Sequence, residues 1–300
     1  MALHGHWSRL AILAAMSRGE LSAAGRAASL RHPLSKVPEV TVYFWITKVL
    51  TTGMGETTSD YLVRRFDPPL VVALAGCALV VVLVAQLRAR RYIPWLYWLA
   101  VVMVSVFGTM IADVLHVQFQ VPYLVSTVAF MLALAAIFVL WYCTERSLSI
   151  HDIRTRRREV FYWATVITTF ALGTATGDMT AMTLQIGFLA SGILFAVLIA
   201  LPGLALRLQW LGATAAFWTA YVLTRPLGAS FSDWAALPPS RGGLGTGTGP
   251  VSLALAVVIV LLVAGLSLTA RSRSAVESAA SSTPSGLAAG GSNAMSGTEA

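Results

Sequence analysis

The sequence predicts an all-α integral membrane protein of eight transmembrane helices, built as four parallel two-helix repeats. Hydrophobic residues make up 57% of the 300-residue chain and charged residues 11%, with a mean hydropathy of +0.74, far too apolar for a soluble domain. Apolar runs close to the ~20 residues that cross a bilayer core recur along it. One ungapped frame repeats around Asp60, Asp113, Asp178 and Asp233. A glycine lies five residues before each (Gly55, Gly108, Gly173, Gly228) and a tryptophan fifteen before each (Trp45, Trp98, Trp163, Trp218). An aromatic precedes each tryptophan: Phe44, Tyr97, Tyr162 and Phe217. A carboxylate at mid-bilayer costs roughly 2.5 to 3.5 kcal/mol, so random apolar sequence does not repeat one at a common depth.

The spans fall at approximately 40–62, 70–87, 95–115, 121–143, 160–181, 184–206, 212–235 and 250–270. The first carries the most polar copy of the frame, Thr51 through Asp60, with Lys48 and Glu56. The third adds Thr109 and Ala112 around its aspartate and is followed by His116. The fifth has Thr174, Thr176 and Gly177, and the seventh Arg225, Pro226, Ser230 and Ser232. The even-numbered spans contain no Asp, Glu, Lys, Arg or His. A helix bearing Asp must turn it toward protein, water or a counter-ion, whereas a wholly apolar helix is satisfied by lipid. The odd helices are therefore expected to line the centre and the even ones the periphery.

Residues 1–35 read as a disordered cytoplasmic extension, and 36–270 as the transmembrane domain, with repeats at about 36–90, 91–145, 155–207 and 210–270. Residues 271–300, rich in Ser, Gly and Ala, read as a disordered cytoplasmic tail. The apolar run 10–16 is too short for a signal peptide. Lys and Arg divide 16 to 3 between the two sides, with Arg64, Arg65 and Arg241 the minority, which places both termini in the cytoplasm. The net charge of +8 lies in loops rather than in a patch interleaved with aromatics, which argues against nucleic acid. Cys77 and Cys143 sit in apolar spans without metal-ligand spacing and read as small buried hydrophobes.

Successive motif aspartates are 53, 65 and 55 residues apart, two crossings each, so the repeats enter the membrane in one direction. Fifteen residues of helix separate Trp from Asp by about 22 Å. With the aromatics as anchors at the cytoplasmic interface, the carboxylates share one level in the outer half of the membrane. One ring of four satisfies this, as do two pairs.

Glu56 and Asp60 are neighbours on one helical face, in an i, i+4 row with Lys48 and Thr52. Two such carboxylates do not both ionise cheaply in a low dielectric without a cation between them. With the surrounding hydroxyls they offer hard oxygen ligands, suited to Mg, Ca or Mn; Asp60, Glu56, Asp178 and Asp233 are the candidate metal ligands. The same Ser and Thr residues also suit close helix packing. Lys48 and Arg225 serve as counter-ions or in coupling, and leave a formal −3 against Glu56 and the four aspartates. Pro226 is expected to kink the seventh helix and free carbonyls. His116, three residues after Asp113, either marks the outer end or gives an imidazole to a metal. Met54, Met110 and Met179 read as core filler. The glycine-rich stretch 241–249 lacks a phosphate-loop ending and reads as a flexible outer loop. An intramembrane aspartyl protease is disfavoured: Ala175 breaks the Gly-x-Gly-Asp motif at Asp178, and a dyad does not explain four copies.

Lys36 through Lys48, Gly55-Glu56, Ser59-Asp60-Tyr61, Glu159 through Trp163, Gly173 to Asp178, and Thr224 through Ser230 with Asp233 resemble a bacterial family. Its members are membrane-anchored, multi-spanning proteins built from a short repeat of unknown function, and the resemblance covers about residues 36–270. It implies the repeat and topology and no settled substrate. The second copy departs most, with Val101 in place of Lys48 and Thr109 in place of Glu56, so its share in a site is the least expected.

The expected function is a secondary transporter or exporter of a cation, a divalent metal or one exchanged for protons, in the bacterial inner membrane. Its site is Asp60, Asp113, Asp178 and Asp233 with Glu56, and its partners are the lipid bilayer and the cation. No catalysis, resident cofactor or nucleic acid is expected, and homo-oligomerisation is left open. The alternative is a non-transporting scaffold or regulator whose aspartates join helices or partners.

Overall fold

A computed structural model describes residues 36–281. Among them the protein is all-helical, with eight long helices and no strand. They are α1 (Val42–Arg65), α2 (Pro68–Arg88), α3 (Pro94–Asp113), α4 (Tyr123–Glu145), α5 (Arg156–Asp178), α6 (Phe188–Arg207), α7 (Ala213–Ala236) and α8 (Thr248–Ser281). Local signals set their starts. The Thr41 and Thr155 hydroxyls accept from Phe44 N and Arg158 N, the Asp67 carboxylate from Leu70 N, and Pro68 and Pro94 occupy first turns where a missing N–H costs nothing. Five of the helices, α2, α3 with the turn that extends it, α4, α6 and α8, are long and apolar enough to cross a membrane. The others, α1, α5 and α7, are equally long but carry the threonines and charges of the motif, which lower their hydropathy.

α8 continues to Ser281, past the end at 270 expected for the last span, so the tail is helical over its first part. The extension 1–35 and the rest of the tail, 282–300, lie outside the described residues. The glycine-rich stretch is not a loose loop. It folds back on the end of α7, where Leu244 N donates to Trp234 O, Gly245 N to Leu237 O and Gly247 N to Ala236 O. Gly245 and Gly247 have φ of 79° and 88°, a backbone conformation that makes glycine the fitting residue there.

The four motif helices form a closed ring: α1 packs on α3, α3 on α5, α5 on α7, and α7 on α1. Outside it, α2 lies against α3, α4 against α5, α6 against α7, and α8 against α1. Each plain helix thus supports the motif helix that follows it, and α8 returns to the first. The packing unit is offset by one helix from the sequence repeat.

The motif residues obey the same cyclic rule. A Cβ on Gly55 would strike Ser105 of α3; on Gly108, Phe170 of α5 at 2.9 Å; on Gly173, Arg225 of α7; on Gly228, Thr52 and Val49 O of α1. Each motif glycine lets its helix approach the next one closely. The aromatic pairs interlock in that order too: Phe44 on Trp98 (5.8 Å between centroids), Tyr97 on Trp163 (5.7 Å), Tyr162 on Trp218 (6.1 Å) and Phe217 on Trp45 (5.6 Å). These rings are not the outward-facing interface anchors expected of them. Tyr97, Trp98 and Tyr162 are at most 1% exposed, because the converging helices place each ring against its neighbour's.

Gly228→Ala is expected to destabilise the ring by about 1–3 kcal/mol, since the backbone carbonyl of Val49 cannot give way. Gly203→Ala in α6, with nothing within 4 Å, should be neutral or mildly stabilising. Thermal unfolding of the two purified variants compares them directly.

Candidate functional site

Counting back from each aspartate in steps of four gives matching layers around the ring. Twelve residues before stand Lys48, Val101, Val166 and Tyr221; eight before, Thr52, Ser105, Phe170 and Arg225; four before, Glu56, Thr109, Thr174 and Ala229. A row of i+4 positions drifts about 40° per step around a helix. Lys48, Thr52 and Glu56 are nevertheless all buried, because α1 is enclosed by α3, α7 and α8.

The middle layers are tied together by one side chain. Arg225 is fully buried, and its Nη2 donates to Glu56 Oε2 at 2.6 Å, to Thr174 Oγ1 at 2.7 Å and to Thr109 Oγ1. Its Nη1 donates to Thr52 O at 3.0 Å. A single guanidinium from α7 therefore holds α1, α3 and α5, and its five donors suit that role better than an ammonium would. Expected as a counter-ion or coupling residue, Arg225 is observed as the counter-ion of Glu56. Pro226 follows it inside a helix that runs unbroken from Ala213 to Ala236.

Lys48, one layer below, meets no carboxylate. Its Nζ lies 3.8 Å from the ring centre of Phe170 and 4.3 Å from that of Tyr221, with no hydrogen-bond partner among the described residues. The expected counter-ion role is corrected here: aromatic faces, not an acid, hold the amine. Below it the Tyr97 and Tyr162 hydroxyls share a hydrogen bond of 2.5 Å. Farther out, Lys36 Nζ bonds Glu159 Oε2 at 2.6 Å and Leu87 O at 3.2 Å, while Gln86 Nε2 donates to Glu159 Oε1. Charge, hydrogen bonds and interlocked rings close this end of the bundle.

At the other end a cavity of about 300 Å³ is lined by Asp60, Asp113, Asp178 and Asp233, with Glu56. Tyr123, Arg64 and Arg241 line it as well. Asp178 and Asp233 are buried, Asp60 and Asp113 half-buried. The carboxylates named from the sequence are thus gathered around one space, in a ring rather than two separate pairs. The set expected to ligate a metal, Asp60, Glu56, Asp178 and Asp233, does not cluster as ligands among the described residues. Glu56 Oε2 is engaged by Arg225, and Asp60 Oδ2 accepts from Arg64 at 2.5 Å. The ligand-capable group that does cluster is Asp113, His116 and Asp178, with one atom from each within 4.8 Å of the others. The second copy, least expected to contribute, supplies two of these three. A larger cavity of about 460 Å³ at the aromatic end, beside Trp45 and Phe217, has a mostly apolar lining, with Ser149, His151 and Thr214 its polar members, and no carboxylate.

The family described as Repeat of Unknown Function (DUF347) matches at residues 43–92, 96–147, 161–209 and 216–272, and the chain belongs to it. No curated protein and no solved structure matches the chain.

Replacing Arg225 by Met, which leaves Glu56 buried without its partner, is expected to cost about 3–5 kcal/mol of stability. The double change Glu56→Met with Arg225→Met should recover most of that loss. Thermal unfolding of both variants in one detergent reads the difference.

Proposed function

We propose, for this member of a four-repeat family, that the chain is a secondary transporter or exporter of a cation, with the aspartate-lined cavity as its binding site. The observation that carries this reading is the state of the carboxylates. Five of them (Glu56, Asp60, Asp113, Asp178, Asp233) face three guanidiniums (Arg64, Arg225, Arg241), a formal charge of −2 (−5 + 3) around one cavity. Among the described residues, the side-chain carboxylates of Asp113, Asp178 and Asp233 accept no hydrogen bond from the protein, and that of Asp60 accepts only from Arg64 on its own helix. Carboxylates acting as glue between helices would be bonded across the ring, so a scaffold role gains no support from these contacts. Rings of acidic side chains attract and select cations.

All eight helices span the membrane in this reading. The polar helices α1, α5 and α7 turn their charges into the ring and are shielded by the apolar helices packed outside, so low hydropathy does not bar them from crossing. The 16 to 3 division of basic residues supports a topology with both termini in the bacterial cytoplasm and the cavity mouth, with Arg64 and Arg241, on the outer side. The aromatic layers and the Lys36–Glu159 pair then close the inner side. The sequence carries no ATP-binding motif, so uphill movement draws on a gradient.

The test is cation flux into vesicles reconstituted with the full chain. Each of Asp60→Asn, Asp113→Asn, Asp178→Asn and Asp233→Asn, nearly isosteric but uncharged, is expected to abolish or strongly reduce flux while leaving the protein inserted and monodisperse. Wild-type flux in all of them rejects the proposal.

A further inference from the structure

We infer that Asp113, His116 and Asp178 form a site for a divalent first-row transition metal. Taking that metal as the cargo rests on the transport reading above; the binding itself does not.

The cluster is more than a group of acids. An oxygen from each carboxylate and a ring nitrogen of His116 lie within 4.8 Å of one another. Three ligands about 2.1 Å from a shared ion stand ~3.4 Å apart in a tetrahedral arrangement, so atoms separated by up to 4.8 Å need close by at most about 1.4 Å to share one. His116 is 9% exposed, and its Nδ1 is buried with no hydrogen-bond partner. Its other nitrogen, Nε2, lies 2.6 Å from Ser126 Oγ. That hydroxyl has one proton, and it faces the carbonyl of Tyr123 at 3.0 Å. With its proton given to the carbonyl, Ser126 accepts from Nε2–H, and the neutral imidazole keeps its lone pair on Nδ1. A buried nitrogen lone pair without a donor is costly to leave unmet, and it is the form that ligates a metal. The ring is also fixed from its face by Tyr123, with centroids 4.1 Å apart. An outer partner that sets tautomer and orientation is the usual support of a metal-binding imidazole.

The backbone points to the same place. Five-residue π-helical turns follow Asp113 (Val114–Gln118) and Asp178 (Met179–Thr183), whereas α1 and α7 continue as α-helix beyond Asp60 and Asp233. Such turns are rare and concentrate at functional sites. They occur at the two aspartates of the cluster. Three residues after the motif aspartate the other copies carry Val63, Ala181 and Ala236, so the second repeat alone supplies an imidazole.

The donor set decides the class of ion. Carboxylates alone suit Mg²⁺ or Ca²⁺, whereas two carboxylates with an imidazole favour Mn²⁺, Fe²⁺, Co²⁺ or Zn²⁺. The cation reading is thereby narrowed from hard ions in general to transition metals.

Co²⁺ serves as the probe, because its visible absorption reports ligation directly. Full-length protein in detergent is dialysed against Co²⁺ with excess Mg²⁺, and bound metal and the visible spectrum are measured. Wild type is expected to hold about one Co²⁺ per chain against that excess. His116→Gln and Asp178→Asn should weaken binding by about 100-fold or more, and Ser126→Ala by roughly the 10–100-fold typical of an outer partner. His151→Gln, which removes an exposed imidazole at the opposite end of the bundle, should leave binding nearly unchanged. Ser126→Ala keeps every ligand, so the idea remains testable if a ligand variant fails to fold. Absence of a ligand-field spectrum in wild type, or unchanged affinity in the His116 and Asp178 variants, overturns the site. Flux of a cation without Co²⁺ binding overturns this site and spares the transport reading. Ligand-dependent Co²⁺ binding without flux of any transition metal supports the site and removes that metal as the cargo.

Discussion

The guanidinium of Arg225 is the contact on which the ring of motif helices depends. It is fully buried and bonded to Glu56 and Thr52 of α1, Thr109 of α3 and Thr174 of α5. A cation there would be costly without Glu56, and Glu56 would be costly without it, since a buried charge that loses its partner keeps its desolvation penalty. The position four before each aspartate holds one acid, two hydroxyls and one alanine. That breach of the repeat has a physical reason. A strict fourfold layer would bring four identical side chains to the axis, and four acids or four arginines there would repel. One acid, one base and two hydroxyls make a closed hydrogen-bonded layer.

Around that asymmetric layer the packing follows the repeat closely. Each motif glycine abuts the next helix of the ring, and each aromatic lies on the next tryptophan. The two sets act at different heights, so neighbouring helices are registered at two points. Two points fix both the spacing of a helix pair and its relative shift along the axis. The aspartates, at a constant distance from both markers, are carried to a common level as a result. Local pair packing, applied in a circle, produces the ring.

Much of this was legible in the sequence. The even spacing of glycine, tryptophan and aspartate, and the absence of charge from every second span, were enough to separate a central set of helices from a peripheral one. The pairing of Arg225 with Glu56 was visible in principle. If the repeats share one depth, Arg225 starts about 6 Å, one turn, from the level of Glu56, a distance its side chain spans. Three things were not legible. Tryptophan preference for interfaces hid the inward packing of these rings, because composition does not say whether an aromatic meets lipid or another helix. The lack of an acid beside Lys48 depended on which rings, Phe170 and Tyr221, stood at its level on other helices. The π-turns after Asp113 and Asp178 leave no local signature, since backbone hydrogen bonding, not side-chain type, defines them.

The two ends of the ring carry opposite electrostatic solutions. At the aromatic end the strongest charges are consumed within the protein: Lys36 with Glu159, and Lys48 against ring faces. At the aspartate end they are not, and Asp113, Asp178 and Asp233 stand around open space. Carboxylates gathered around one space repel one another unless protons or a cation intervene. Under the proposed function, a cation bound in the cavity would relieve that repulsion and favour the approach of α3, α5 and α7 at that end. Since the motif helices are registered to one another at two heights, that reading links tightening at the aspartates to the interlocked rings. Such a link is what the proposed transport would require. It would follow from placing uncompensated charge at one end of a ring whose other end is closed by paired charge, hydrogen bonds and interlocked rings.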